Sequence, residues 1–397
     1  MSTKYQIGDV IEVEVQKIVP RGFGLGFADG LTVMVPLAAP GDRLRVRIVE
    51  LKKRLAFAEI VEVVATGPER IEPPCPYFGT CGGCDFQHLN YGAQLAAKVS
   101  IIDDCLRRIG KIELASEIKV VASPAEFGYR SRARWHLDRE RRAIGYYARN
   151  SHDVIDVATC PILTPELESE LAKLRQEIRW EGIWADQAEV EATSGDGGEV
   201  SRFSNDSAEA SRDLTFSSGG FDYKFSAEVF FQANKLLIPS LIDAAIGDLT
   251  GAAAFDLYAG VGLFTLPLAS KFAAVTAVEG SPKSVRYAKQ NVLNAGLDNV
   301  KLINDSIAGF LNGNSKRRVD LVLLDPPRSG PEPQTINRIA ALRPAQISYV
   351  SCEPSILARD LRLLIDAGYT LDSVTAVDLF PQSHHVETVA RLVRLVG

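Results

Sequence analysis

A thiol stands at the end of a short apolar segment in the C-terminal part of the chain. The segment "ISYVSCEPSILARDL", residues 347–361, begins like a buried strand and stops at Cys352, and a helical pattern follows from Pro354. Open α/β sheets bind their ligands at the carboxyl ends of their strands. A helix that begins just after the thiol would favour the thiolate through its dipole. The pattern indicates a nucleophile, with a small buried hydrophobe as the alternative.

A Gly-rich turn after another apolar strand predicts a nucleoside cofactor. The turn lies in "FDLYAGVG", residues 255–262, and Glu279 ends the next strand about twenty residues later, where it can accept hydrogen bonds from a ribose. Thr265 stands where dinucleotide-binding turns have their third glycine. This favours a cofactor without a pyrophosphate, such as S-adenosylmethionine, with Asp305 placed to meet the adenine. The alternative is a structural turn beside a solvated Glu.

Two carboxylates complete a candidate catalytic group. Asp325 ends a fourth strand in "VDLVLLDPPRSG", and Glu387 follows in "HHVETV". A thiol, a carboxylate and a methyl donor in one cleft fit the methylation of carbon 5 of a uracil, which is a poor nucleophile in the intact ring. Addition of a thiolate to carbon 6 makes carbon 5 nucleophilic, and a base must then remove the carbon 5 proton before the thiol leaves. Cytosine methylation uses the same addition and is an alternative.

Four other cysteines have the spacing of a metal site. Cys75, Cys81 and Cys84 lie in "CPYFGTCGGC", and Cys160 follows at a distance. We expect no stable disulfides in a cytosolic chain. Four thiolates suit zinc or an iron–sulfur cluster, and the spacing alone slightly favours zinc. Cys105, on a helical stretch, is expected to pack in the core.

Composition indicates a soluble globular protein. The chain has 397 residues, of which 46% are hydrophobic and 24% charged, which suits two or three domains. No apolar run is long enough for a membrane helix, and the first residues have no apolar signal-peptide core. We therefore expect a cytoplasmic protein with no membrane contact, and a monomer by default.

The charge pattern neither requires nor excludes a nucleic-acid partner. The net charge of −6 does not favour nucleic acid, so any such partner needs a local basic surface. The stretch 129–149 supplies one, because it combines arginines with Trp135, Tyr146 and Tyr147, which suit phosphate contact and base stacking. The alternative is a solvated strand face with ordinary ion pairs.

The order of patterns predicts three domains. Several short strands over residues 4–65 predict a small OB-like β-barrel, which would either contact RNA or act as a structural cap. A β-rich central region follows, in which the polar stretch 191–213 is typical of a mobile loop. Strands then alternate with helices, which predicts a parallel, doubly wound sheet. We place the domains at 1–66, 67–235 and 236–397.

With these elements in place, the sequence resembles the RNA uracil-5-methyltransferase family over nearly its whole length. The motifs occur in the family's order: "CGGCDFQHLNY", "FFQAN", "FDLYAGVG", "DPPRSG", "SCEPSILARDL" and "HHVETV". The resemblance implies an N-terminal TRAM domain and a Rossmann-like, S-adenosylmethionine-dependent methyltransferase domain. The barrel combined with the cysteines is closer to the ribosomal-RNA branch, which implies 23S rRNA as substrate. The alternatives are a tRNA methyltransferase and a non-catalytic RNA-binding protein with a decayed site.

The resemblance also implies roles for individual residues. It makes Cys352 the nucleophile and Glu387 the base that removes the carbon 5 proton. It replaces zinc by a 4Fe–4S cluster on Cys75, Cys81, Cys84 and Cys160. The positions that contact the cofactor or shape the pocket are Gln232, Tyr258, Gly260, Glu279, Asp305 and Asp325. Phe230 or Phe231 would stack on a uracil flipped out of the RNA.

Three positions depart from the family pattern. Glu353 follows the cysteine where the family usually has Asn, and a carboxylate that faced the sulfur would oppose thiolate formation. Leu263 replaces an Asn that contacts the cofactor in some members, and Ala259 replaces a frequent Cys. We expect these departures to affect rate and substrate more than the type of reaction.

Overall fold

The computed structural model describes residues 4–206, 211–314 and 317–394. Its contacts divide the chain into two compact units. One comprises the chain up to Asp103 together with Tyr146–Ile155 and Phe380–His385, and the other comprises Asp104–Gly145, Asp156–Leu379 and the chain from Val386. Among the described helices, none is long and apolar enough to cross a membrane.

The first unit contains a closed five-stranded barrel. Its strands are β1 (Val10–Val19), β2 (Phe23–Ala28), β3 (Leu31–Pro36), β4 (Arg43–Lys52) and β5 (Leu55–Ala65), in the order β1-β2-β3-β5-β4. Apolar residues at every second position line the barrel interior, as Leu31, Val33 and Val35 do on β3. The predicted OB-like barrel is confirmed.

The β-rich region that follows contains a five-stranded sheet and a separate hairpin. Its elements are α1 (Tyr91–Cys105), β6 (Lys119–Val121), β7 (Arg132–Asp138), β8 (Ala143–Tyr147), β9 (Val154–Asp156), α2 (Pro165–Glu177), β10 (Gln187–Ser194), β11 (Val200–Phe203), β12 (Leu214–Ser218) and β13 (Phe221–Phe225). The sheet order is β11-β10-β7-β8-β9, and β12 pairs with β13.

The mobile loop predicted over residues 191–213 is wrong for much of its described part. The end of β10 pairs with β11 in an antiparallel ladder, from Glu191 opposite Phe203 to Ser194 opposite Val200. Small polar residues on this ladder, such as Thr193 and Ser201, are buried. Because these small side chains pack inside a sheet, their polarity did not indicate a loop. Residues 207–210, which also fall in the predicted loop, lie outside the described residues.

The C-terminal region forms an eight-stranded sheet covered by helices. Its elements are α3 (Ile238–Ala245), β14 (Gly251–Leu257), α4 (Thr265–Ala269), β15 (Phe272–Glu279), α5 (Pro282–Asn294), β16 (Val300–Asn304), α6 (Ile307–Gly313), β17 (Leu321–Leu324), α7 (Pro333–Ala341), β18 (Gln346–Ser351), α8 (Pro354–Asp366), β19 (Tyr369–Val377) and β20 (Glu387–Arg394). The strand order is β16-β15-β14-β17-β18-β20-β19-β6.

This sheet confirms the predicted Rossmann-like architecture and adds one antiparallel strand. Strands β14 to β18 are parallel, and their order reverses at β14, which lies between β15 and β17. Ligands of such sheets bind at the carboxyl ends of the strands beside this reversal. β20 runs antiparallel between β18 and β19, so its first residue reaches the same edge.

Candidate active site

The register of two neighbouring strands brings the predicted nucleophile and base together. β18 and β20 are antiparallel, and Ser351 pairs with Thr388 at the end of their ladder. The next residue outward on β18 is Cys352, and the corresponding residue on β20 is Glu387. Directly opposed positions in an antiparallel pair lie about 5 Å apart at their Cα or Cβ atoms. The sheet therefore places the thiol and the carboxyl side by side.

Burial and mutual repulsion disfavour the charged forms of both groups. Burial and the negative charges of Glu387 and Asp325 together raise the pKa of the Cys352 thiol to about 12, against the opposing charge of the Arg328 guanidinium. The Glu387 carboxyl is 3% exposed, and burial and the Asp325 carboxylate raise its pKa well above the ordinary value. The expected lowering of the thiol pKa by the following helix does not overcome burial. An ionised Glu387 is accordingly a stronger base than an ordinary carboxylate.

Asp325 connects this pair to a further buried carboxyl. Burial and the nearby Asp256 raise the pKa of Asp325 to about 7. Asp256, on β14, is fully buried and its pKa is also raised to about 7 by burial. Thr265 Oγ1 donates to Asp256 Oδ2 at 2.5 Å. The threonine that replaces the third glycine of dinucleotide-binding turns therefore binds a buried carboxyl. The sequence analysis missed Asp256, whose only signal is a carboxylate within an apolar strand.

The Glu353 side chain is held at the start of α8. Its side chain caps α8, because Glu353 Oε1 accepts hydrogen bonds from Ser355 Oγ at 2.6 Å and from Ser355 N at 3.4 Å. Its charge instead helps raise the pKa of Cys105, which burial raises to about 11. The departure from Asn at this position therefore provides a helix N-cap rather than a carboxylate facing Cys352.

The raised thiol pKa predicts slow, strongly pH-dependent alkylation of Cys352 in the free protein. An ordinary thiol ionises with a pKa of about 8.5, so its reaction with iodoacetamide levels off above about pH 9. With a pKa of about 12, the thiolate fraction of Cys352 grows about tenfold per pH unit throughout pH 7–10. Peptide-resolved mass spectrometry would measure this rate. A plateau below pH 9 would contradict the electrostatic description.

The residues predicted to contact the cofactor meet at the carboxyl edge of the sheet. Tyr258 and Gly260 form the turn after β14 with positive φ values of 65° and 56°. Glu279 braces this turn, because its carboxylate accepts from Gly260 N at 2.9 Å and from Ser281 N at 2.7 Å. Asp305 follows β16, and its main-chain N–H donates to Glu279 O at 3.2 Å.

Three further residues singled out in the sequence are all buried. Gln232 is 4% exposed and lies in the segment between β13 and α3, which is a different part of the chain from the Gly-rich turn. Leu263 is buried, and its carbonyl accepts from the Tyr223 hydroxyl at 3.3 Å. Trp135 is fully buried, so it cannot stack on a base as the arginine-rich stretch suggested.

The cysteines predicted to hold a metal offer soft thiol donors. Cys75, Cys81 and Cys84 lie half-buried in one unit, and Cys160 lies half-buried in the other. Burial raises the pKa of Cys81 and the charge of Cys75 adds to this, whereas the hydrogen bond that Gly83 N donates to Cys81 Sγ at 3.4 Å opposes the shift. Within residues 4–206, 211–314 and 317–394, no three such side chains form a metal-binding group. The thiol donors are of the type that holds an iron–sulfur cluster.

The chain is similar to known proteins over nearly its whole length. Residues 201–395 match the family described as tRNA (Uracil-5-)-methyltransferase, and residues 4–61 match the TRAM domain. The chain is 31% identical to the 23S rRNA (uracil(1939)-C(5))-methyltransferase RlmD of Shewanella sediminis, covering 97% of this chain and 96% of that protein. It is 30% identical to an uncharacterized RNA methyltransferase of Gloeobacter violaceus, covering 98% and 97%.

A solved structure is similar over almost the entire chain. It is the Pyrococcus abyssi tRNA (uracil-54, C5)-methyltransferase in complex with S-adenosyl-L-homocysteine, with a TM-score of 0.75 and 26% identity. The likeness covers 96% of this chain and 100% of that one. Together with the paired thiol and carboxyl, these similarities show that the chain belongs to the RNA uracil-5-methyltransferase family.

Proposed function

We propose that the protein transfers a methyl group from S-adenosylmethionine to carbon 5 of a uridine in RNA. The observation that supports this most strongly is the placement of Cys352 opposite Glu387 at the ligand-binding edge of the sheet. The test is incubation of the purified protein with RNA and methyl-labelled S-adenosylmethionine, followed by nucleoside analysis. We expect labelled 5-methyluridine. Labelled 5-methylcytidine, or no labelled nucleoside with ribosomal and transfer RNA, would refute the proposal.

The chain's residues divide the reaction into addition and elimination. The Cys352 thiolate adds to carbon 6, and carbon 5 then accepts the methyl group that S-adenosylmethionine supplies when bound. Glu387 removes the proton from carbon 5, and the electrons of that bond re-form the ring double bond as sulfur leaves. Arg328 favours the anionic sulfur, since its charge lowers the pKa of Cys352. Asp325 holds the pyrimidine edge or polarises the ring.

The cofactor contacts are proposed from the same edge. We assign them to Tyr258, Gly260, Glu279, Asp305 and Asp325, with Gln232 from the segment before α3. Glu279 already accepts two loop amides, but each carboxylate oxygen retains a lone pair for a ribose hydroxyl. The two hydrogen bonds stabilise the turn, and Glu279 can still accept a hydrogen bond from a ribose hydroxyl.

The RNA substrate is proposed to be 23S rRNA. The similarity to RlmD, whose name specifies 23S rRNA, supports this choice, and the barrel would be the RNA-binding domain. The alternative is tRNA, which the likeness to the Pyrococcus abyssi enzyme favours. We retain the domain boundaries 1–66, 67–235 and 236–397 as part of the proposal. Parallel methylation assays with unmodified 23S rRNA and tRNA transcripts separate the two substrates.

A 4Fe–4S cluster on Cys75, Cys81, Cys84 and Cys160 is also proposed. The support is the donor set together with the amide that donates to Cys81 Sγ. Anaerobically purified protein should contain about four irons and four sulfides per chain. Cys81→Ser should lose this iron, whereas Cys105→Ser, which changes a buried thiol outside the set, should keep it. Bound zinc, or iron that survives in Cys81→Ser, would contradict the assignment.

A further inference from the structure

One aromatic ring is exposed on an otherwise buried segment between β13 and α3. Of the residues 226–234, Phe230 is 63% exposed, whereas its neighbour Phe231 is 3% exposed. Phe231 stacks on Phe225 with 4.3 Å between ring centroids. The packing of Phe231 in the core thus leaves Phe230 as the ring available to a base.

Arg132 on β7 holds the main chain directly before this ring. Its Nη1 donates to Val229 O at 2.6 Å, and its Nη2 donates to Ala227 O at 3.2 Å. The carbonyl of Val229 belongs to the same planar peptide unit as the nitrogen of Phe230. The Arg132 hydrogen bond therefore fixes the peptide plane from which the Phe230 side chain projects.

The surroundings of Arg132 point to positioning rather than to phosphate binding. Its side chain is 15% exposed and forms an ion pair with Glu191 at 3.1 Å. A planar guanidinium can bond two carbonyls and a carboxylate at once, which a lysine ammonium cannot match in geometry. On the other side of the ring, Ser131 N and Ser131 Oγ donate to Ala233 O at 2.7 Å and 2.9 Å. The start of β7 thus anchors the segment on both sides of Phe230.

We propose that Arg132 is a positioning residue that orients Phe230 for stacking on the substrate base. The proposal rests on the proposed function. Arg132 does not touch the substrate and acts on it only through Phe230. Arg132→Lys keeps the positive charge but loses the planar guanidinium that bonds two carbonyls at once. The main chain around Phe230 should therefore become more mobile. Glu191→Gln is the matched control, because the amide oxygen still accepts from Arg132 while the carboxylate charge is removed.

The test combines amide hydrogen exchange with reaction kinetics for five proteins: wild type, Arg132→Lys, Glu191→Gln, Phe230→Ala and the double variant of Arg132→Lys with Phe230→Ala. Exchange over residues 227–233 should rise about tenfold in Arg132→Lys and stay near wild type in Glu191→Gln. The methylation kcat of Arg132→Lys should fall between about tenfold and about a hundredfold, with RNA KM changed less than about threefold. The double variant should be no slower than Phe230→Ala, because both changes act through one ring.

The opposite outcomes are equally definite. Unchanged exchange over residues 227–233, or independent losses that multiply in the double variant, would overturn the positioning role. A loss of activity in Arg132→Lys matched by a lowered Tm and increased exchange throughout the chain would show general destabilisation instead. If the wild type binds RNA but methylates none, the proposed function fails. The role of Arg132 is then decided by amide hydrogen exchange and by the RNA affinities of the same proteins.

Discussion

Replacing Cys352 by Ala should lower methyl transfer to RNA by at least about 10⁴-fold, as removal of other covalent nucleophiles does. The reason is chemical, since carbon 5 becomes nucleophilic only after sulfur adds to carbon 6. S-adenosylmethionine binding should change little, because the predicted cofactor contacts come mainly from other strands. The measurements are the single-turnover rate of 5-methyluridine formation and the cofactor dissociation constant.

Cys105→Ala is the matched control for this variant. It also removes a largely buried thiol with a raised pKa, but Cys105 ends α1 rather than β18. We expect this control to keep its rate within about threefold and to lose only the stability that a small core truncation costs, about 1 kcal/mol. If Cys352→Ala retained methylation while Cys105→Ala lost it, the nucleophile would be misassigned.

Replacing Glu387 by Gln should stop the reaction after methyl transfer. We expect turnover to fall by about 10²- to 10⁴-fold, which is the usual loss on removing a general base. Because carbon 5 keeps its proton, sulfur cannot leave, and the methylated adduct should accumulate on ordinary uridine-containing RNA. Denaturing gel electrophoresis with labelled RNA would show a protein–RNA band in Glu387→Gln that the wild type lacks.

Glu353→Gln is the control for removal of a nearby carboxylate. Glu353 caps α8 through Ser355, and a glutamine oxygen can still accept these hydrogen bonds, so Glu353→Gln should lose no more than about 1 kcal/mol of stability and should not accumulate the adduct. Accumulation in Glu353→Gln, or slow turnover without any adduct in Glu387→Gln, would show that another group removes the proton.

The positions of the candidate reacting groups along the chain could be predicted, but the pairing of Cys352 with Glu387 could not. Cys352, Asp325 and Glu279 each stand at or just after the end of an apolar strand, and the ends of parallel strands share one edge. Glu387 begins a strand that runs the other way. Its position opposite Cys352 depends on a long-range ladder register, which local periodicity does not encode.

Packing decided the other differences from the sequence predictions. Adjacent Phe230 and Phe231 are equivalent in sequence, and only the core formed with Phe225 shows which ring remains exposed. The polar stretch around Thr193 and Ser201 forms a sheet because its small side chains can be buried. The direction of Glu353 likewise depends on a local bond to Ser355 that competes with any contact to the sulfur.

The most direct test of the central claim is an adduct trap with 5-fluorouridine-substituted RNA and S-adenosylmethionine. Fluorine cannot leave carbon 5 as a proton does, so the covalent intermediate should persist through denaturation. Protease digestion and mass spectrometry should then locate the nucleotide on the peptide that contains Cys352. A nucleotide attached to another cysteine, or no adduct on an RNA that the protein binds tightly, would contradict the account.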